Sequence, residues 1–160
     1  MIVSDLTFRE ATVADVPGIA AMLADDSLGA AREDLSDLSP YYAAFDQITA
    51  DPMQHLIVAE LASELVGTMQ LTLIPGLSRR GATRALIESV RVASGARGSG
   101  AGTAPVKGER GGGRGGIEFA RSSGASMVQL TSDLSRTDAH RFYERLGFSY
   151  THAGFKLALA

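Results

Sequence analysis

Between His55 and Ile74 the sequence keeps a period of two, and this constrains the fold more than any other feature. His55–Leu61 is a strand-length apolar run. After Ala62–Glu64 the segment Leu65–Ile74 alternates, with Met69, Leu71 and Leu73 on one side and Thr68, Gln70 and Thr72 on the other. Two such runs joined by a short polar turn predict a β-hairpin. Pro75-Gly76 ends it, and a polar loop with Arg79 and Arg80 follows. Arg84–Ala93 reads as a third strand, Met127–Thr131 as a fourth, and Leu6–Arg9 as an edge strand.

The flanking segments switch to a helical period. Val16, Ile19, Ala20 and Leu23 fall on one face of a helix expected over Thr12–Leu28, with Asp15 as its cap and Pro17 in its first turn. A second helix is expected from Ser39, with Pro40 at its first position and Tyr41, Phe45 and Ile48 on one face. Ser135–Leu146 is a third. Ser135 and Asp138 resemble a capping box, Ala139, Phe142 and Leu146 form an apolar stripe, and Gly147 supplies the stop. Phe148–Tyr150 and Phe155–Leu159 read as a closing strand pair. Helices and strands intermingle without an internal repeat, so the fold class is α/β (α+β), a mixed sheet with helices.

Length and composition narrow the partners. The 160 residues suit a single domain spanning 1–160. Lys plus Arg total 15 and Asp plus Glu total 18, a net charge of −3, which argues against nucleic acid as a partner. There is no cysteine, hence no disulfide framework, thiolate nucleophile or Cys-based zinc site, as fits a reducing cytoplasm. No apolar run approaches the ~20 residues of a membrane span, and MIVSDLTFREAT lacks the pattern of a signal peptide. Three scattered histidines offer no metal-ligand spacing, so no metal is expected.

One segment carries chemistry. Near the end of the third strand, at Val92, the chain enters VASGARGSGAG, in which Arg97, Gly100 and Gly102 form the pattern R-x-x-G-x-G. Glycines after a strand let backbone N–H groups converge on a point, and such a concavity binds phosphate oxygens, with an arginine adding a forked cation. A flexible surface loop is the plain alternative. The spacing fits neither the Rossmann nor the P-loop pattern.

Downstream lies SRTDAHRFYERLGF, with Ala139, Phe142, Tyr143, Gly147 and Phe148 in the pattern A-x-x-F-Y-x-x-x-G-F. Together the two stretches resemble the Gcn5-related N-acetyltransferase (GNAT) family, and the order of elements agrees over nearly the whole chain. The resemblance implies an acyl-CoA N-acyltransferase fold, a central mixed, mostly antiparallel sheet flanked by helices. It also implies acetyl transfer from acetyl-CoA to the primary amine of a small molecule, with a protein acceptor or a non-catalytic acetyl-CoA sensor as alternatives. The loop residues Arg97, Gly98, Ser99, Gly100, Ala101 and Gly102 would bind the pyrophosphate, and the main chains of Val90 and Val92 the pantetheine arm.

Acetyl transfer requires a base for the ammonium, N–H donors for a developing oxyanion and an acid for the leaving thiolate. By resemblance Tyr143 is the acid; an ordinary half-buried aromatic is its other reading. Glu88 is the candidate base, because 88, 90 and 92 share strand parity and would share a face; an ion pair with a nearby arginine is the alternative. Asp133, at a strand end, is a second candidate, and His140 is expected to face solvent. The acidic stretch around Ser27–Ser39 (Asp25, Asp26, Glu33, Asp34, Asp37) would favour a cationic amine, or is simply a solvated loop. An exposed strand or the C-terminal hairpin offers a surface for a homodimer.

The sequence departs from the family twice. Arg136 stands where many members have asparagine, seven residues before the tyrosine. Thr103–Gly116 holds six glycines in fourteen residues, where the family has an amphipathic helix. Glycine costs about 1 kcal/mol relative to alanine in a helix, so helix is expected to resume only at Ile117, after a long irregular loop that weakens cofactor binding. Three origins fit the segment: a genuine insertion, an RGG-type RNA-binding element, or a frameshift in a GC-rich gene.

Overall fold

The alternating segments pair in sequence order. The computed structural model describes residues 6–25, 29–96, 106 and 115–159. Strands β1 (Leu6–Glu10), β2 (Gln54–Leu61), β3 (Glu64–Pro75), β4 (Thr83–Val92) and β5 (Met127–Leu130) form one sheet in the order β1-β2-β3-β4-β5. The first three pairings are antiparallel. The Ser126 N–H donates to the Thr83 carbonyl at 2.9 Å, so β5 starts beside the start of β4 and runs with it. The sheet is therefore mixed. The predicted hairpin is β2–β3, with Leu61 opposite Glu64. Ala62 and Ser63 both have positive φ, 52° and 67°, as a two-residue turn matched to strand twist requires.

Helices α1 (Val16–Ala24), α2 (Ser39–Ala50) and α3 (Gly116–Ser122) accompany the sheet, and α4 (Thr137–Arg145) follows β5 in the chain. The even-numbered positions of β2 face α1: Val58 is fully buried against Ile19 and Met22, with Leu56 beside them. The opposite face carries Met69, Leu71, Ala85 and Ile87, all buried. Each large side chain there contributes about 1.5–3 kcal/mol by leaving water. Helix α3 begins on this second face. A Cβ on Gly116 would lie 2.6 Å from Met69 Cε and 3.4 Å from Ile87 Cδ1, so this position suits a residue without a side chain. This helix starts one residue before the expected Ile117. Most of Thr103–Gly116 lies outside the described residues; Val106 within it is helical and buried, contrary to the irregular loop expected there.

The chain divides into two compact units, Met1–Gln129 and Leu130–Ala160. In the second, α4 ends at Gly147 with φ +95°, the expected left-handed stop. Three expectations need correction. The expected closing strands Phe148–Tyr150 and Phe155–Leu159 are absent among the described residues. Alternation says which residues would share a face, but a strand also needs a partner ladder for its backbone groups. Phe155, Leu157 and Leu159 accordingly stand exposed. Asp15 does not cap α1 forward: its carboxylate accepts from the Thr12 N–H at 2.7 Å and hydroxyl at 3.0 Å. Ser135 caps nothing either, because its N–H and hydroxyl both donate to Asp133, at 3.0 and 2.7 Å, while Asp138 pairs with Arg141.

Arg9 ties the start of the chain to the sheet. Its guanidinium donates to both carboxylate oxygens of Asp15, at 2.7 and 2.9 Å, and to Glu60 at 2.5 Å. The Arg9 hydrogen bonds hold the Asp15 carboxyl down at about 2 against burial. Among the described residues no helix is long and apolar enough to cross a membrane.

A carboxyl with a lowered folded pKa contributes stability above its unfolded value near 4, lost as pH falls toward 2. The melting temperature of the wild type is expected to drop across that window more than that of Asp15→Asn, as calorimetry at stepped pH would record. Gly116→Leu is expected to lose about 1–3 kcal/mol in urea denaturation through overpacking. Gly116→Ala should stay near neutral, because the Met69 tip moves and alanine favours helix.

Candidate active site

The geometry of the candidate site is set by one extra residue in β4. Gln70 pairs with Glu88 and Thr68 with Arg91, so two residues of β4, Ser89 and Val90, oppose the single Met69. This is a β-bulge. Ser89 takes φ 53°, a left-handed conformation that disfavours side chains. The bulge breaks the parity argument of the sequence. Glu88, opposite Gln70, lies on the face covered by α1 and α2, whereas Val92, opposite Gly67, lies on the face of Met69. Val90 and Val92 keep a common face with each other but not with Glu88.

Glu88 is exposed and has no hydrogen bond or ion pair among the described residues, so the alternative of an arginine partner is not seen. Arg91 instead donates to the Val90 carbonyl at 2.9 Å. Beyond Val92 the Ala93 N–H donates to the Val66 carbonyl, and Ser94–Ala96 form a 3-10 turn. Arg97, Gly98, Ser99, Gly100, Ala101 and Gly102 lie outside the described residues.

On the face of Glu88 a cavity of about 150 Å³ opens between α1, α2 and the sheet. Val16, Ile19, Leu23, Phe45, Ile48 and Leu56 line it with apolar atoms, and Gln70 and Ser89 close it on the sheet side. The sequence reading missed Gln70, whose only signal was its place in an alternating strand. The Gln70 amide donates to Gln54 Oε1 at 2.9 Å, and the Thr72 hydroxyl donates to the same oxygen at 2.9 Å.

The acidic stretch builds turns. Asp34 accepts from the Ser36 N–H and hydroxyl at 2.9 and 2.6 Å, and Asp37 from those of Ser39 at 2.9 and 2.6 Å. These bonds lower both carboxyl pKa values. Glu33 accepts from the Tyr41 hydroxyl at 2.7 Å, which raises the phenol pKa. None of the three acids lines the cavity.

In the second unit, Tyr143 is half-buried on α4, its ring edge-on to Phe142 and Phe148 at 5.1 and 5.8 Å. His140 does not simply face solvent: it is half-buried, with Nε2 2.9 Å from the Asp133 carbonyl. Among the described residues no cluster could hold a metal ion.

Comparison with known proteins identifies the class. The model of the Acetyltransferase (GNAT) family matches residues 20–148, and the chain belongs to this family. A transcriptional regulator from Bacillus halodurans C-125 is 42% identical, aligned over 96% of this chain and 99% of its own, with a TM-score of 0.88. A predicted acetyltransferase from Clostridium acetobutylicum, solved with acetyl-CoA, shares the fold at 15% identity and a TM-score of 0.70, over 96% of each chain. An aminoalkylphosphonate N-acetyltransferase of Salmonella typhimurium is 45% identical over 42 residues. That match spans 26% of this chain and only 27% of the relative.

The bulge itself is testable. Ser89→Val, a β-branched residue at positive φ, is expected to lose about 1–3 kcal/mol, whereas Ser89→Gly should match or exceed wild type in the same chemical denaturation.

Proposed function

We propose that residues 1–160 act as one N-acetyltransferase domain that moves the acetyl group of acetyl-CoA directly to a primary amine of a small molecule. The observation that carries this reading is the placement of an unpartnered carboxylate, Glu88, on the sheet face that also holds the cavity. The name of the Salmonella relative supports a small-molecule amine, and the acetyl-CoA bound by the Clostridium neighbour supports the donor.

Acetyl-CoA supplies an activated acyl carbon. The β4 main chain at Val90 and Val92 would hold its pantetheine arm, and the N–H groups from Arg97 to Gly102 its pyrophosphate. Glu88 takes one proton from the ammonium, directly or through water, and frees the nitrogen lone pair. As the C–N bond forms and the C–S bond breaks, Tyr143 gives its phenolic proton to the departing sulfur. The second amine proton restores Tyr143, and the proton on Glu88 passes to solvent. The balance is one amide, one thiol and one released proton.

The second reading is an acetyl-CoA-binding sensor without turnover; the Bacillus protein is named a transcriptional regulator, which supports a regulatory role and says nothing of acetyl-CoA. Amine-dependent thiol release from acetyl-CoA, run beside calorimetry with coenzyme A, separates the two. Turnover is expected. Tyr143→Phe should lower kcat by about 10²–10⁴ with the coenzyme A heat retained. Glu88→Gln should lower kcat/KM similarly near neutral pH and recover as rising pH deprotonates free amine. Coenzyme A binding without thiol release from any amine would favour the sensor; no binding would refute both.

A further inference from the structure

We propose that Gln70 holds the acceptor nitrogen against Glu88, and that the acceptor is an amphipathic primary amine whose apolar part fills the cavity between α1, α2 and the sheet. This rests on the acetyl-transfer reading and names its substrate class.

The orientation of Gln70 follows from counting lone pairs. A carboxamide oxygen has two, and Gln54 Oε1 spends both, one on Gln70 Nε2 at 2.9 Å and one on Thr72 Oγ1 at 2.9 Å. With its nitrogen committed, Gln70 must turn its own Oε1 away from Gln54. That oxygen accepts no hydrogen bond among the described residues. Directly across the ladder, on the same face, stands Glu88, equally unpartnered. Opposed residues of an antiparallel pair hold their Cβ atoms about 4.5–5.5 Å apart, within reach of one small group.

Two acceptor groups side by side call for a ligand rich in donors. An ammonium offers three N–H groups, can place one on each oxygen and keeps the third, and it neutralises the carboxylate. A phosphonate or carboxylate head would meet repulsion at the same place. The apolar lining sets the other end of the ligand. A cavity near 150 Å³ lined by aliphatic and aromatic side chains takes a group about the size of benzene. The fit is thus to an aryl- or branched-alkyl-amine, not to a polyamine or an aminoalkylphosphonate.

The test is steady-state thiol release from acetyl-CoA with phenethylamine, isoamylamine, spermidine and 2-aminoethylphosphonate, using the full chain. The expected result is a kcat/KM at least tenfold higher for the two apolar amines. Gln70→Leu is expected to raise the acceptor KM about tenfold with coenzyme A binding unchanged by calorimetry. Gln54 and Thr72 are positioning residues. Gln54→Leu should raise the same KM less, and Gln54→Glu, which keeps the accepting oxygens, should restore it. A preference for spermidine or the phosphonate, or a Gln70→Leu variant with unaltered KM, would overturn the inference and leave acetyl transfer standing. No thiol release with any amine in a set extended to amino acids and aminoglycosides would overturn both.

Discussion

The β3–β4 ladder, interrupted once at Ser89, is the constraint on which the candidate site depends. Were β4 regular, Glu88, Val90 and Val92 would share one face. The added residue rotates the chain by half a period, so the two valines face the side on which α3 begins and Glu88 the side of α1 and α2. Regular pairing on both sides of the bulge, Leu71 with Ile87 and Gly67 with Val92, holds Ser89 in a backbone conformation it would not choose alone. The Glu88 carboxylate and the cavity thereby come to one face of the sheet, while the strand still leads the chain toward Arg97–Gly102.

The two faces of the sheet are stabilised differently. On one, Met69 and Ile87 close against the bare backbone of Gly116, Leu71 is buried beside them, and the part-buried His55 opposite Leu71 sets its ring 4.4 Å from that of Phe119. On the other, Thr68 is buried and donates to the Ile57 carbonyl at 3.3 Å, and Gln54, Gln70 and Thr72 share a network. Buried polar groups are kept where their partners are supplied. Here Gln54 Oε1 is fully supplied, the buried Nε atoms of Arg84 and Arg91 are not, and Gln70 Oε1 accepts nothing among the described residues.

How far the fold is legible follows from which residues report on their own geometry. The hairpin is legible because Met69, Leu71 and Leu73 alternate with Thr68, Gln70 and Thr72, and period two has one structural reading. Gly147 and the late start of α3 are legible because glycine marks what a side chain cannot do. The bulge is not, because a serine at positive φ looks like any serine, and an error of one residue moves every later side chain to the other face. The closing strands fail for a related reason: Phe155, Leu157 and Leu159 have the rhythm of a strand but no ladder to join. The role of Asp15 was half-visible. An acid near a helix start was expected, but its direction is set by Arg9 and Thr12.

The acidic stretch shows why reading charge alone would mislead about the acceptor. Asp34, Asp37 and Glu33 suggest attraction of a cation, yet each already accepts from a serine or a tyrosine. Those bonds do not discharge Asp34 and Asp37. By lowering their pKa values they keep both ionised to a lower pH. At the roughly 8–10 Å screening length of ordinary salt, such charges speed the approach of a cation more than they choose among cations. On the reading proposed above, choice falls to Gln70 and Glu88, which face one another across the ladder on the side of an apolar cavity. On that reading attraction and selection fall to different residues, and only selection depends on the register of β4.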